Sequence, residues 1–147
     1  MSDERPVSLV RAAGLASDVP YAYAAITPPG ARLVFTAGAC PLNAAGEVVA
    51  PGDVAAQAQQ VMENLEAALR AAGAELRDVA RTTVYVASGR REDLVTAWQV
   101  VRERFGDHDA PSTLLGVAAL GYPDQLVEVE AVASVLASDD TRESCYP

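Results

Sequence analysis

The sequence contains few of the residues that build metal sites, disulfide frameworks or cationic surfaces. It has two cysteines, one histidine and 11 Lys+Arg against 20 Asp+Glu, which gives a formal net charge of −9. Such a charge repels phosphate backbones and anionic lipid surfaces. We therefore expect no metal site, no metal-bound cofactor, no nucleic-acid partner and no membrane partner. The two cysteines are expected to be free thiols in a reducing compartment.

Targeting signals and long apolar runs are also missing. The first six residues have neither the basic nor the apolar region of a signal peptide, and no later stretch is apolar enough to span a bilayer. With 147 residues, 50% of them hydrophobic, the chain has enough apolar material for one sizeable core. These features predict a cytoplasmic protein with a single domain over residues 1–136. The composition of residues 137–147 predicts a polar, flexible tail.

The first half of the chain has two strand patterns and one helix pattern. Residues 21–26 and 32–38 are β-rich and flank two prolines and a glycine, which predicts a hairpin. Asp53 is placed to cap a long amphipathic helix that ends at Gly73. Apolar residues recur on one face of this helix, and Gln57 is expected on the opposite, polar face.

The second half alternates strand and helix patterns. Strands are predicted over residues 79–87, 112–119 and 125–136, with a helix over residues 91–105. The order is β-β-α-β-α-β-β, and the strand–helix–strand unit predicts a parallel pair in a mixed sheet. Two helices cover only one face of such a sheet. Because an apolar open face invites aggregation, we expect homo-oligomerisation with cyclic symmetry.

The last strand carries the clearest polar signal. Strand periodicity places Glu128 and Glu130 on the face opposite the valines and alanines, about 7 Å apart. Two carboxylates at this spacing can order a water together and act as general base or acid. The alternative is a solvated strand face.

Other candidates have an ordinary structural interpretation beside the functional one. Gly38, at a strand end, permits close approach of a ligand or of another backbone. Cys40 is expected to be a structural, apolar cysteine, since His108 is the sole histidine available to activate it. Residues with a packing or solvated role as the alternative to ligand binding are Tyr21, Tyr23, Trp98, Arg32, Arg81 and Arg104.

Four segments, taken in order and spacing, resemble the Rid family, also called the YjgF or L-PSP family. They are Pro20-Tyr21, Leu33-Val-Phe-Thr-Ala-Gly-Ala-Cys-Pro-Leu42, Asp78-Val-Ala-Arg-Thr-Thr-Val-Tyr-Val86 and Leu126-Val-Glu-Val-Glu-Ala-Val-Ala133. The resemblance implies a chorismate-mutase-like α/β (α+β) fold, a homotrimeric barrel and three clefts between subunits. Typical deaminating members hydrolyse enamines and imines to 2-oxo acids and ammonia without a cofactor.

The resemblance also implies roles for single residues. Glu128 matches the glutamate associated with the attacking water, Tyr21 matches a cleft tyrosine, and the main chain at Thr113 is expected beside the reacting atom. The family's deaminases place an arginine before a Ser-Cys or Ser-Thr pair to hold the substrate carboxylate. Here Pro111 precedes Ser112 and Thr113, so this anchor is missing.

Two further family positions are more apolar in this chain. Ala37 replaces a serine before Gly38, and Trp98 aligns with a cleft asparagine. The pattern therefore favours a divergent Rid enzyme that acts on an imine, an enamine or a related electrophile other than a simple 2-imino acid. Two alternatives stay open: a small-ligand-binding or regulatory trimer without turnover, and a 2-iminobutanoate/2-iminopropanoate deaminase that uses Arg32 or Arg104 instead. The charge of −9 opposes ribonuclease action, sometimes attached to the family.

Overall fold

A computed structural model of the chain describes residues 7–136 and has two layers. Helices α1 (Val54–Ala71) and α2 (Arg91–Phe105) pack together on one face of a four-stranded sheet, and the hydrophobic core lies between the layers. The predicted tail, with Cys145, lies outside the described residues. Within residues 7–136, neither helix has both the length and the apolar character needed to cross a membrane.

The sheet is mixed, as the sequence predicts. It consists of β3 (Arg32–Phe35), β4 (Val79–Val86), β5 (Ser112–Gly116) and β6 (Val127–Val135), in the order β3-β6-β4-β5. β6 is antiparallel to both of its neighbours, whereas β4 and β5 are parallel. The adjacent parallel pair is therefore made across α2. The strands on either side of α1 are not adjacent, because β6 lies between them.

The predicted hairpin of residues 21–26 and 32–38 is wrong. Strand β2 (Ala24–Ile26) pairs instead with β1 (Ser8–Val10) in a separate two-stranded sheet, and β3 pairs with β6. The prolines and glycine at residues 28–30 lead the chain from one sheet to the other. A local turn signal indicates a change of chain direction, but it does not determine which strand pairs with which. Both strands pair with segments that are distant in sequence.

Strand β6 separates the two faces of the sheet by simple alternation. Its odd-numbered residues from Val127 to Ala133 are buried against the helices, while Glu128, Glu130 and Val132 lie on the uncovered face. This uncovered face also exposes large apolar side chains of the neighbouring strands: Leu33, Phe35 and Leu115 are 49%, 72% and 44% exposed. The chain on its own therefore leaves apolar surface in water, as the sequence predicts.

Helix α1 begins and ends as predicted, but its polar face is partly buried. Asp53 caps the helix by accepting from the Ala56 amide at 3.0 Å, and Gly73 follows it with φ +81°. Gln57, however, is fully buried. Its amide group donates to two loop carbonyls at 3.3 and 2.9 Å and accepts from the Leu126 amide at 2.7 Å. Helical periodicity does not predict the burial of Gln57, because its partners are loops that fold over the polar face of the helix.

We predict that Gln57→Ala destabilises the fold by roughly 2–4 kcal/mol, because it leaves buried backbone groups without partners. Urea unfolding measures the change. Gln99→Ala, on the exposed face of α2, is the matched control and should change stability by less than about 0.5 kcal/mol. Equal unfolding midpoints for the two variants would show that the Gln57 bonds do not hold these loops.

Candidate functional site

The predicted site residues form two groups at different places on the uncovered face of the sheet. The first group consists of Tyr21, Pro111, Ser112 and Thr113, which line a cavity of about 530 Å³. The second group consists of Ala37, Gly38 and Glu128, where the chain leaves β3 and passes β6. Trp98 joins neither group, since it is half-buried in α2 and packs against the core.

An arginine near the start of the chain holds the residues of the first group together. Arg11 donates to the carbonyls of Val19 and Tyr21 at 2.9 and 2.6 Å, and it forms an ion pair with Asp109 at 2.8 Å. The Ala22 amide also donates to the Asp109 carbonyl, at 2.8 Å. These bonds fix the Tyr21 segment on the loop before β5. Arg11 and Asp109 are 98 residues apart, so no local pattern in the sequence indicates the pair.

A backbone irregularity builds the second group. Phe35 pairs with Val132 and Ala39 with Val129, so four residue steps on one side oppose three on β6, as in a β-bulge. Within the bulge, a Cβ added at Gly38 would lie 2.4 Å from the Glu128 carboxylate oxygen Oε2. Glycine is therefore needed here for space. Any side chain at position 38 would displace the Glu128 carboxylate.

The Glu128 carboxylate is held through one of its two oxygens. Its Oε1 accepts from the Cys40 thiol and from the Gln125 amide, both at 3.2 Å. Gln125 is itself buried and accepts from the Tyr122 amide at 3.1 Å, while Asn64 of α1 donates to the Cys40 carbonyl at 2.8 Å. Within residues 7–136 Oε2 has no hydrogen-bond partner. It is thus the oxygen that can accept a proton from a water molecule.

The thiol beside Glu128 acts as a hydrogen-bond donor, not as a nucleophile. Burial, and then the hydrogen bond to Glu128 and its negative charge, raise the pKa of Cys40 from about 9 to about 11. A thiol with such a pKa is protonated at neutral pH. His108, which the sequence offered as a partner for Cys40, lies within 2.7 Å of the Val79 carbonyl instead.

The second glutamate of β6 has its own partner. The Tyr85 hydroxyl donates to Glu130 at 2.6 Å, and this bond raises the pKa of Tyr85. Glu128 and Glu130 share a face, as predicted, but each is bound to different side chains. Among residues 7–136, no three histidine, cysteine or carboxylate side chains form a group able to hold a metal ion.

The two groups are separated within the chain. Val132 lines the first cavity, and Glu128 lies four residues earlier in the same strand, which corresponds to about 13 Å. Glu128 is not in the wall of that cavity. The two groups therefore do not line one common cavity within the chain.

Comparison with known proteins identifies the family. Residues 12–135 match the family described as Endoribonuclease L-PSP. The chain is 36% identical over 105 residues to the 2-iminobutanoate/2-iminopropanoate deaminase of Escherichia coli K12, with 69% of this chain and 79% of that protein covered. It is 32% identical over 104 residues to the 3-aminoacrylate deaminase RutC of Acinetobacter baylyi, covering 71% and 80%.

A solved structure agrees. YyfB, a protein of the conserved Rid family from Yersinia pestis, superposes with a TM-score of 0.80 at 32% identity, over 88% of this chain and 99% of that one. The chain therefore belongs to the Rid (YjgF, L-PSP) family, and the α+β fold predicted from the resemblance is confirmed.

We predict that Cys40 titrates near pH 11 in the folded protein. In a Cys145→Ser background, where Cys40 is the single thiol, the rate of alkylation by iodoacetamide against pH reports its midpoint. Glu128→Gln should lower the midpoint but leave it above 9, because burial is the largest cause of the shift. Since folding raises this pKa, the stability it contributes is complete below pH 9 and is lost as the pH rises toward 11. A midpoint near 9 in the folded chain contradicts the described contacts.

Proposed function

We propose that this chain hydrolyses the carbon–nitrogen double bond of an imine, or of an enamine after tautomerisation, in a cleft between two subunits of a homotrimer. Two relatives support the reaction class, because they are named as deaminases of 2-imino acids and of 3-aminoacrylate. Water adds to the carbon of the C=N bond, the C–N bond then breaks, and the products are a carbonyl compound and ammonia. The reaction involves no change of oxidation state and needs no cofactor.

The observation that carries this proposal is the way in which Glu128 is held. Cys40 and Gln125 fix one carboxylate oxygen, and the other faces the space that Gly38 leaves open. A carboxylate held in this way accepts a proton from water as the water oxygen attacks, and it returns the proton to the departing nitrogen. Glu128 is the proposed catalytic residue for both proton transfers.

A neighbouring subunit is proposed to complete the cleft. Glu128 lies about 13 Å along β6 from Val132, which lines the first cavity, on a face that also exposes Leu33, Phe35 and Leu115. Cyclic symmetry covers such a face and brings the first group of one subunit to the second group of the next. Tyr21 and the main chain at Ser112 and Thr113 then contact the substrate from one side, opposite Glu128.

The substrate is proposed to differ from simple 2-imino acids. Pro111 cannot supply the paired hydrogen bonds that a guanidinium makes to a carboxylate, and loss of such a buried partner costs about 2–5 kcal/mol. Ala37 beside Gly38 is proposed to make the cleft more apolar, whereas Trp98 packs against the core. Both features favour a larger substrate than 2-iminopropanoate.

Ribonuclease action, which the family's description mentions, is not favoured. The chain carries a net charge of −9, and the wall of the first cavity contains a single cationic residue. Phosphate backbones bind to stripes of several cations.

We predict that Glu128→Gln lowers kcat at least about 100-fold while leaving ligand affinity nearly unchanged, because the amide cannot accept the proton of water. The assay is release of ammonia from imines without a 2-carboxylate, which an amine oxidase generates in situ from primary amines. Glu130→Gln, on the same face of the same strand but bound to Tyr85, is the control and should retain most of the activity. Unchanged turnover in Glu128→Gln, or equal losses in both variants, would remove Glu128 from the proposed role.

A further inference from the structure

An arginine lies beside the position from which the family's arginine is missing, but on the neighbouring strand. β4 and β5 are parallel with Thr82 paired to Ser112, and the Thr82 amide donates to the Pro111 carbonyl at 3.0 Å. Arg81 and Pro111 each directly precede a member of that pair. Arg81 is therefore at the same level of the sheet as Pro111, about 5 Å away across the ladder.

The Arg81 side chain lies on the face that carries the first group. It alternates with the buried Thr82 and shares the uncovered face with Thr83 and Tyr85. It lines the cavity of about 530 Å³ beside Tyr21 and Thr113, and also a second cavity of about 440 Å³. As far as residues 7–136 show, it is the one cation in the walls of these two cavities, and it forms no ion pair there.

The other arginines considered for this role are placed elsewhere. Arg104, on α2, forms an ion pair with Glu66 of α1 at 2.5 Å, in the helical layer. Arg32 is exposed at the start of β3, which β6 separates from β4, and it lines neither cavity. Arg11 is bound to Asp109 and to two carbonyls, so it supports the wall of the first cavity.

The geometry points to Arg81 as the anion-binding residue of the cleft, with a substrate that carries a carboxylate. This inference rests on the proposed function and adds the substrate class. A guanidinium presents a planar set of donors that matches a carboxylate through two parallel hydrogen bonds, and it stays charged at every working pH. Arg81 is a binding residue: it orients the acid and takes no part in proton transfer.

The position of Arg81 also sets the preferred length of the acid. The backbone of Arg81 lies about 5 Å from the backbone of Pro111, because Arg81 is on the inner strand β4 and Pro111 directly precedes the edge strand β5. The main chain at Thr113, proposed to lie beside the reacting atom, is on the same strand as Pro111 but is paired with Thr83, so it is farther from the backbone of Arg81 than from that of Pro111. An acid with more carbons between its carboxylate and its C=N carbon spans this added distance. A 4-imino acid, or its enamine, is therefore a better match than a 2-imino acid.

Binding of stable oxo analogues tests the inference without requiring turnover. We would titrate the full-length protein by calorimetry with 4-oxopentanoate, its uncharged methyl ester and 2-oxobutanoate. In wild type, 4-oxopentanoate should bind at least about tenfold more tightly than its ester, as expected for a charge-assisted pair, and more tightly than 2-oxobutanoate. Arg81→Gln should remove the difference between acid and ester, and Arg81→Lys should restore part of it.

Two matched variants control for loss of positive charge. Arg91→Gln, exposed at the start of α2, and Arg32→Gln, on β3, should both leave the preference for the acid intact. Equal binding of acid and ester by wild type, a preference that survives in Arg81→Gln, or one lost in Arg32→Gln instead, overturns the inference. Tighter binding of 2-oxobutanoate than of 4-oxopentanoate overturns the proposed length.

The proposals for Arg81 and for Glu128 can be refuted independently of each other. Glu128→Gln should bind 4-oxopentanoate as wild type does, because Arg81 is intact. The oligomeric mass of each variant, measured by light scattering, identifies a structural role: if Arg81→Gln dissociates the assembly, the guanidinium pairs with a neighbouring subunit, and the inference is wrong.

Discussion

The insertion of β6 between β3 and β4 is the constraint on which the rest of the structure depends. This last strand forms ladders on both sides, so the four-stranded sheet depends on the pairing of residues 127–135 with residues 32–35 and 79–86. Once it is in place, alternation alone assigns its residues to two faces. Val127, Val129, Ala131 and Ala133 complete the core under the helices, and Glu128 is fixed on the uncovered face. The same ladder register brings the bulge at Gly38 over the Glu128 carboxylate.

Helix α1 supports the candidate site through its polar residues. Gln57 holds the loop that enters β6, and Asn64 holds the carbonyls of Cys40 and Leu42 at 2.8 and 2.9 Å. These bonds orient the thiol and the Gln125 amide that contact Glu128. The apolar face of α1 covers one side of the sheet. Its polar face, through these bonds, determines the geometry of a carboxylate on the other side.

The sequence predicts the features that depend on local periodicity, but not those that form where distant segments meet. The helices, the Asp53 cap, the mixed sheet and the alternation in β6 follow from neighbouring residues, and all are present. The hairpin prediction is wrong because strand pairing depends on the packing of the whole sheet and not on the local turn alone. Glu128 was singled out from its strand and from family resemblance, but its bond to Cys40 joins residues 88 positions apart, for which the sequence gives no signal. The register that brings Arg81 beside Pro111 likewise becomes visible only when β4 and β5 are aligned.

The claim that a complete site requires two subunits can be tested directly by complementation. Tyr21→Ala impairs the first group and Glu128→Gln the second, so equal amounts of the two variants, unfolded and refolded together, form mixed assemblies. If the cleft lies between subunits, about a quarter of the clefts join two intact halves, and the mixture recovers about that fraction of wild-type activity per cleft. If each subunit contains a whole site, the mixture is no more active than the average of the two variants refolded alone.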